Sequence, residues 1–93
     1  VVDAGMGMPS HAAEAIEIIV HGDPQTSSVV GQHAKTLPLP EGASIGAIVR
    51  GHELIFIDSQ SVIENGDHVI LFLVDKQHIP AVEQLFRVSS SFL

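Results

Sequence analysis

A chain of 93 residues without cysteine makes one small domain, with neither a disulfide staple nor a thiolate metal site. Its formal net charge is −7 and its four basic residues, Lys35, Arg50, Lys76 and Arg87, are scattered, so it has no cationic stripe to track phosphates. Nucleic acid and anionic membrane surfaces are therefore excluded as expected partners.

Apolar residues make up 45% of the chain, yet its four aromatics are all Phe, so the core is expected to be aliphatic. A chain this short buries only roughly 60–65% of its unfolded surface, and self-association is a common way to add burial. The longest apolar run, Val69–Val74, is far shorter than the ~20 residues a membrane-spanning helix needs. No basic segment followed by an apolar stretch opens the chain, so no secretion signal is expected. A chain starting at Val1 reads as a fragment of a cytoplasmic protein.

Val1–His11 (VVDAGMGMPSH) lacks periodicity and is expected to be a linker outside the domain, which occupies residues 12–93. Glu14–Val20 (EAIEIIV) sets Ile16, Ile18 and Val20 on alternate positions, which predicts a strand ended by His21-Gly22-Asp23-Pro24. Thr26 or Ser27 is a suitable N-cap, and Val30, Ala34 and Leu37 then share one face of a short helix, Ser28–Leu37. Pro38 and Pro40 stop that helix, because proline lacks an amide donor and disfavours helical geometry in the residue before it.

Three strands are predicted in a row over Ala43–Val74. Ile45, Ala47 and Val49 alternate in the first, Leu54 and Phe56 in the second, and Val69, Leu71 and Leu73 in the third. Arg50-Gly51-His52 predicts a tight hairpin between the first two, with the glycine supplying a positive φ. The third strand, HVILFLV, is apolar at nearly every position and is expected to lie centrally with both faces covered. Asp75 is then placed to cap a final helix carrying Ile79, Val82, Leu85 and Phe86, with Pro80 confined to its first turn. The order β-α-β-β-β-α predicts an α+β fold: a mainly antiparallel sheet of about four strands with two helices.

The six histidines show no His-x3-His or His-Glu-x-x-His spacing, so no metal site is predicted from them. No serine sits in a Gly-x-Ser-x-Gly elbow, and capping or turn roles account for Ser27, Ser28, Ser59 and Ser61. Asp67 is expected to be tied to its own turn amides. No catalytic residue is assigned, and the chain is not expected to be an enzyme.

Several segments together carry a family resemblance. They are GAIVR at Gly46–Arg50, the Gly66-Asp67 turn, the apolar strand Val69–Val74 and VEQLF at Val82–Phe86. Upstream, GDPQTSSVVG at Gly22–Gly31 and the connector Leu39-Pro40-Glu41-Gly42 extend the match. The combination resembles the C-terminal (TrkA-C) domain of RCK-type regulators of potassium transport, and the HVILFLVDK run and final Ser-Phe-Leu resemble the last domain of the bacterial Trk potassium-uptake regulator.

The resemblance implies a cytoplasmic regulatory domain, peripheral to the inner membrane through its partner, that forms a homodimer and helps assemble or gate a ring on the membrane potassium channel or transporter subunit. It implies nucleotide-binding domains upstream and no cofactor in this fragment. The dimer contact is expected at Val29, Val30 and Ile45. The alternative is a small-ligand or metal-ion sensor binding at the dimer interface. Some relatives hold a cyclic dinucleotide between two such domains; here only His33 and Lys35 lie near the first helix to meet an anionic ligand.

Overall fold

The computed structural model describes residues 13–87. The linker expected at residues 1–11 and the tail at residues 88–93 lie outside the described residues. Four strands form the fold: β1 (Glu14–Ile19), β2 (Ala43–Arg50), β3 (Glu53–Phe56) and β4 (His68–Leu73). They make one antiparallel sheet in the order β1-β4-β2-β3. β4 is central, as its apolar sequence predicts. The short helix α1 (Ile79–Leu85) follows it, so the fold is α+β with one α-helix rather than two.

The β2–β3 hairpin closes with Arg50 opposite Glu53, and Gly51 takes φ 62°, as the turn requires. Farther along β2, Ile45 faces Leu71 but Ala47 faces Ile70, so Gly46 is an extra residue that bulges the strand. A side chain there would meet Phe72, since a Cβ would fall 2.3 Å from the Phe72 ring.

The bulge corrects the expected alternation. Ile45 and Ile48, not Ile45, Ala47 and Val49, point to the core, where they lie opposite Leu71 and Val69. In β3 it is Ile55, paired with Ile48, that packs on the core, while Leu54 and Phe56 point outward. Both faces of these strands are apolar, so periodicity alone does not say which is inside.

The inner face of the sheet packs under the 20–39 segment, Ile63 and α1, around Val20, Val29, Ile48, Val69, Leu71 and Val82, all wholly buried. β4 buries Val69, Leu71 and Leu73 on this side, but Phe72 on the other side is half exposed. The expectation that both faces of β4 are covered therefore fails within a single chain.

The helix predicted at Ser28–Leu37 does not form. A single 3₁₀ turn, Ala34–Thr36, stands in the middle of connected turns. Gly31 sits at φ 87°, which breaks helical geometry, and its N–H donates to Ile63 O at 2.8 Å. The Ala34 N–H donates to Ser61 O, and the Ile63 N–H to Gln32 O. The backbone thus bonds across to the 61–63 segment instead of up its own axis. The apolar spacing still serves its purpose, because Val29, Val30, Ala34 and Leu37 are all buried. The expected capping chemistry is there too, on a turn: Ser27 Oγ accepts from the Val29 and Val30 amides at 3.1 and 3.2 Å.

At the C-terminal end, Asp75 accepts from the Gln77 amide at 3.0 Å and opens a 3₁₀ turn, Lys76–His78, that leads into α1. Pro80 lies in the first turn of α1, where no amide donor is needed. Val82 and Phe86 are buried against the sheet.

Candidate functional site

Three features stand out: a partly buried ion-pair cluster, a groove, and an open sheet face. The cluster joins β2 to the turn before β4. Arg50 Nε donates to Asp67 Oδ1 at 2.8 Å and Nη2 to Oδ2 at 2.9 Å, a two-pronged contact with a wholly buried carboxylate. The same Nη2 donates to Val62 O, the Glu64 amide donates to Asp67 Oδ2, and Glu64 Oε2 lies 3.3 Å from Nη1. Hydrogen bonding to Asp67 holds the Arg50 pKa above its ordinary value, against the opposing effect of burial.

Asp67 does hold a turn amide, as expected, but its main partner is Arg50, 17 residues away. No local spacing signals that pair. Both oxygens of the Asp67 carboxylate are engaged, so the pair braces β2 against the turn before β4. Among the described residues no buried side-chain nitrogen or oxygen lacks a hydrogen-bond partner.

The groove arises because β3 is half as long as β2. β3 pairs with Ala47–Arg50 alone, which leaves the Ala43–Gly46 half of β2 without a strand neighbour on that side. A cleft of about 620 Å³ opens there, lined by Lys35, Leu37, Leu39, Ile45, Phe56 and Ile57 among others. Lys35, exposed at the rim, is the one cation lining it among the described residues and also contributes to holding the Asp58 pKa below its ordinary value, behind the Gln60 amide and the Ser61 hydroxyl.

The groove brings together Lys35 and Ile45. His33, exposed on the segment bridged to Val62, does not line it, and Val29 and Val30 are closed inside the chain's own core. Those three valine and isoleucine positions therefore form no single exposed patch. His11 lies outside the described residues; among these no three His, Asp or Glu side chains converge as a metal set. Asp67 is engaged by Arg50, and His68 Nδ1 lies 2.5 Å from Glu17 Oε2.

The open face lies opposite the core. Register places Ile19 on β1, Ile70 and Phe72 on β4, Ala47 and Val49 on β2, and Leu54 and Phe56 on β3 together there. Exposure reaches 72% at Phe56, 68% at Val74 just past β4, 54% at Leu54, 51% at Phe72 and 47% at Ile19.

The sequence profile of the TrkA-C domain matches residues 23–87, which span the 23–37 turns, the groove, the ion-pair cluster and α1. The chain belongs to the TrkA-C domain family. This TrkA-C domain is 53% identical over 81 residues to the Trk system potassium uptake protein TrkA of Halomonas elongata, covering 87% of the chain and 18% of that relative. It is 51% identical over 82 residues to TrkA of Vibrio alginolyticus, covering 88% and 18%. The chain thus spans about a fifth of the length of the curated relatives it matches. A solved RCK domain with cda superposes at a TM-score of 0.63 and 16% identity, over 78% of this chain and 97% of that one, which establishes the shared fold.

Proposed function

We propose that this TrkA-C domain, residues 12–93, is a regulatory and non-catalytic part of a Trk potassium-uptake system, which dimerises and helps assemble or gate the ring on the membrane potassium channel or transporter subunit. The observation that carries the reading is the identity above 50% to TrkA relatives over most of the chain. The Arg50–Asp67 pair supports it, because the one buried carboxylate among the described residues is engaged in bracing. No helix of the described residues is long and apolar enough to cross a membrane. In this reading membrane contact is made through the transporter, in the cytoplasm, and nucleotide is bound by domains upstream, with no cofactor held here.

The domain acts by coupling. A ligand or partner shifts the ring only through its different affinity for two arrangements. The test is rubidium uptake in cells lacking TrkA, complemented with the full-length protein with or without this domain. Loss of the uptake response on deletion supports a regulatory role; uptake and its response unchanged by deletion refutes it.

A second reading is favoured by the groove. There Lys35 and the apolar walls present a site for a small anionic ligand, and the similar solved domain carries cda. Calorimetry with cda, nucleotides and divalent ions separates the two. Sub-millimolar binding that Lys35→Ala weakens supports sensing, while silence leaves assembly alone.

A further inference from the structure

We propose that Asn65 is a modification site: its side chain closes on the Gly66 nitrogen and deamidates, at a rate set by the bond that holds Gly66 to the end of β1. The proposal is independent of the regulatory reading above. Asn65 is the single asparagine of the chain, and glycine follows it. Glycine hinders this ring closure least, because it carries no side chain and its backbone is free to adopt the geometry. Both residues are exposed, so water reaches them.

The reaction needs only the chain and water. The Gly66 nitrogen, having lost its proton, attacks Asn65 Cγ. A new N–Cγ bond forms, the Cγ–Nδ2 bond breaks, and Nδ2 takes up a proton and leaves as ammonia. The five-membered succinimide that remains then adds water at one of its two carbonyls. Addition at Cγ gives aspartate. Addition at the backbone carbonyl gives isoaspartate, in which the chain runs through Cβ and Cγ.

The turn prepares one reacting group and withholds the other. The Gly22 N–H donates to Asn65 Oδ1 at 3.0 Å, which draws electrons from Cγ and favours the oxyanion that attack creates. The Gly66 N–H, however, donates to Val20 O at 2.8 Å. A carbonyl oxygen is too weak a base to take that proton, and a donor held in this bond is withdrawn from hydroxide. Reaction therefore waits for the 64–67 turn to lift from Val20, a local opening at the surface.

The two products have different consequences. Aspartate at this position still accepts from the Gly22 amide. Isoaspartate lengthens the backbone by one carbon inside a turn closed by Val20 N–H to Asp67 O at 2.8 Å and Asp67 N–H to Glu64 O at 3.1 Å. With the longer chain these bonds and that of Gly66 do not all re-form. Asp67, whose carboxylate holds Arg50, is the residue after Gly66, so the change loosens both β1 and β2 from the turn.

The test follows the intact mass of the chain at mildly alkaline pH, native and in urea. An amide-to-acid gain is expected in both, carried by the tryptic peptide 51–76, and at least ~10-fold slower in the native chain. The Gly66 amide should be protected from hydrogen exchange by the same factor within about 3-fold, since both reactions pass through one opening. Asn65→Gln, whose ring would have six members, should gain little mass. Separated by chromatography, the isoaspartyl product should melt below wild type, whereas Asn65→Asp should melt near it. No gain in urea, equal rates in the two states, an unprotected Gly66 amide, or an Asn65→Gln gain as fast as wild type overturns the proposal. An isoaspartyl product that melts with wild type overturns its structural consequence.

Discussion

At the residue scale, the Arg50–Asp67 pair carries the largest single electrostatic stake. Removing one partner of a buried pair costs about 3–5 kcal/mol, but the Arg50 side chain is one-third exposed, which reduces the loss. Asp67→Asn is therefore expected to destabilise the domain by about 2–3 kcal/mol and lower Tm by on the order of 10 °C, measured by thermal melting. Arg50→Lys should lose part of this, since an ammonium cannot reproduce the two-pronged contact. The exposed carboxylates of Asp23 and Asp58 act differently. Asp23 accepts from the Gln25 and Thr26 amides, and Asp58 from the Gln60 amide and the Ser61 hydroxyl, which holds both pKa values below the ordinary 3.8. A depressed folded pKa means the stabilisation is full above the unfolded value and is lost as pH falls through the folded one. Tm should therefore hold steady down to just above pH 3.8 and drop below it, with a shallower drop in Asp23→Asn.

At the element scale, the 23–37 segment separates pattern from element type. Its apolar residues are spaced as on a helix and are buried as on a helix, yet the backbone is a chain of turns held by Gly31 and by hydrogen bonds to residues 61–63. The sign of one substitution distinguishes the two. Gly31→Ala would stabilise a helix by about 1 kcal/mol, but at φ 87° it is expected to destabilise the turn by about 1–2 kcal/mol, measured by urea unfolding. Strand existence, the Gly51 hairpin, the Asp75 cap and the Pro80 position were readable because each depends on a few adjacent residues. The inward face of β2 was not. One bulge residue, Gly46, exchanges the faces, and its reason is the Phe72 ring on a neighbouring strand.

At the scale of the whole molecule, the sheet has a covered face and an uncovered one. Val29 belongs to the core, so Val29→Ala is expected to lower stability by about 2 kcal/mol, as read by denaturation. Of the residues singled out for function, the groove unites Lys35 and Ile45 but not His33. Their neighbourhood depends on β3 ending early at Phe56, a property of strand pairing and not of spacing along the chain.

Composition, turn chemistry and motif order by themselves determined a small aliphatic α+β domain of the TrkA-C kind, because backbone preferences and family signatures are local or strictly ordered along the chain. Which apolar residues close the core, which carboxylate meets Arg50, and which sheet face stays open were decided only on folding. Those outcomes depend on register and on contacts between distant segments, and a sheet apolar on both faces has no inside until something packs against one of them.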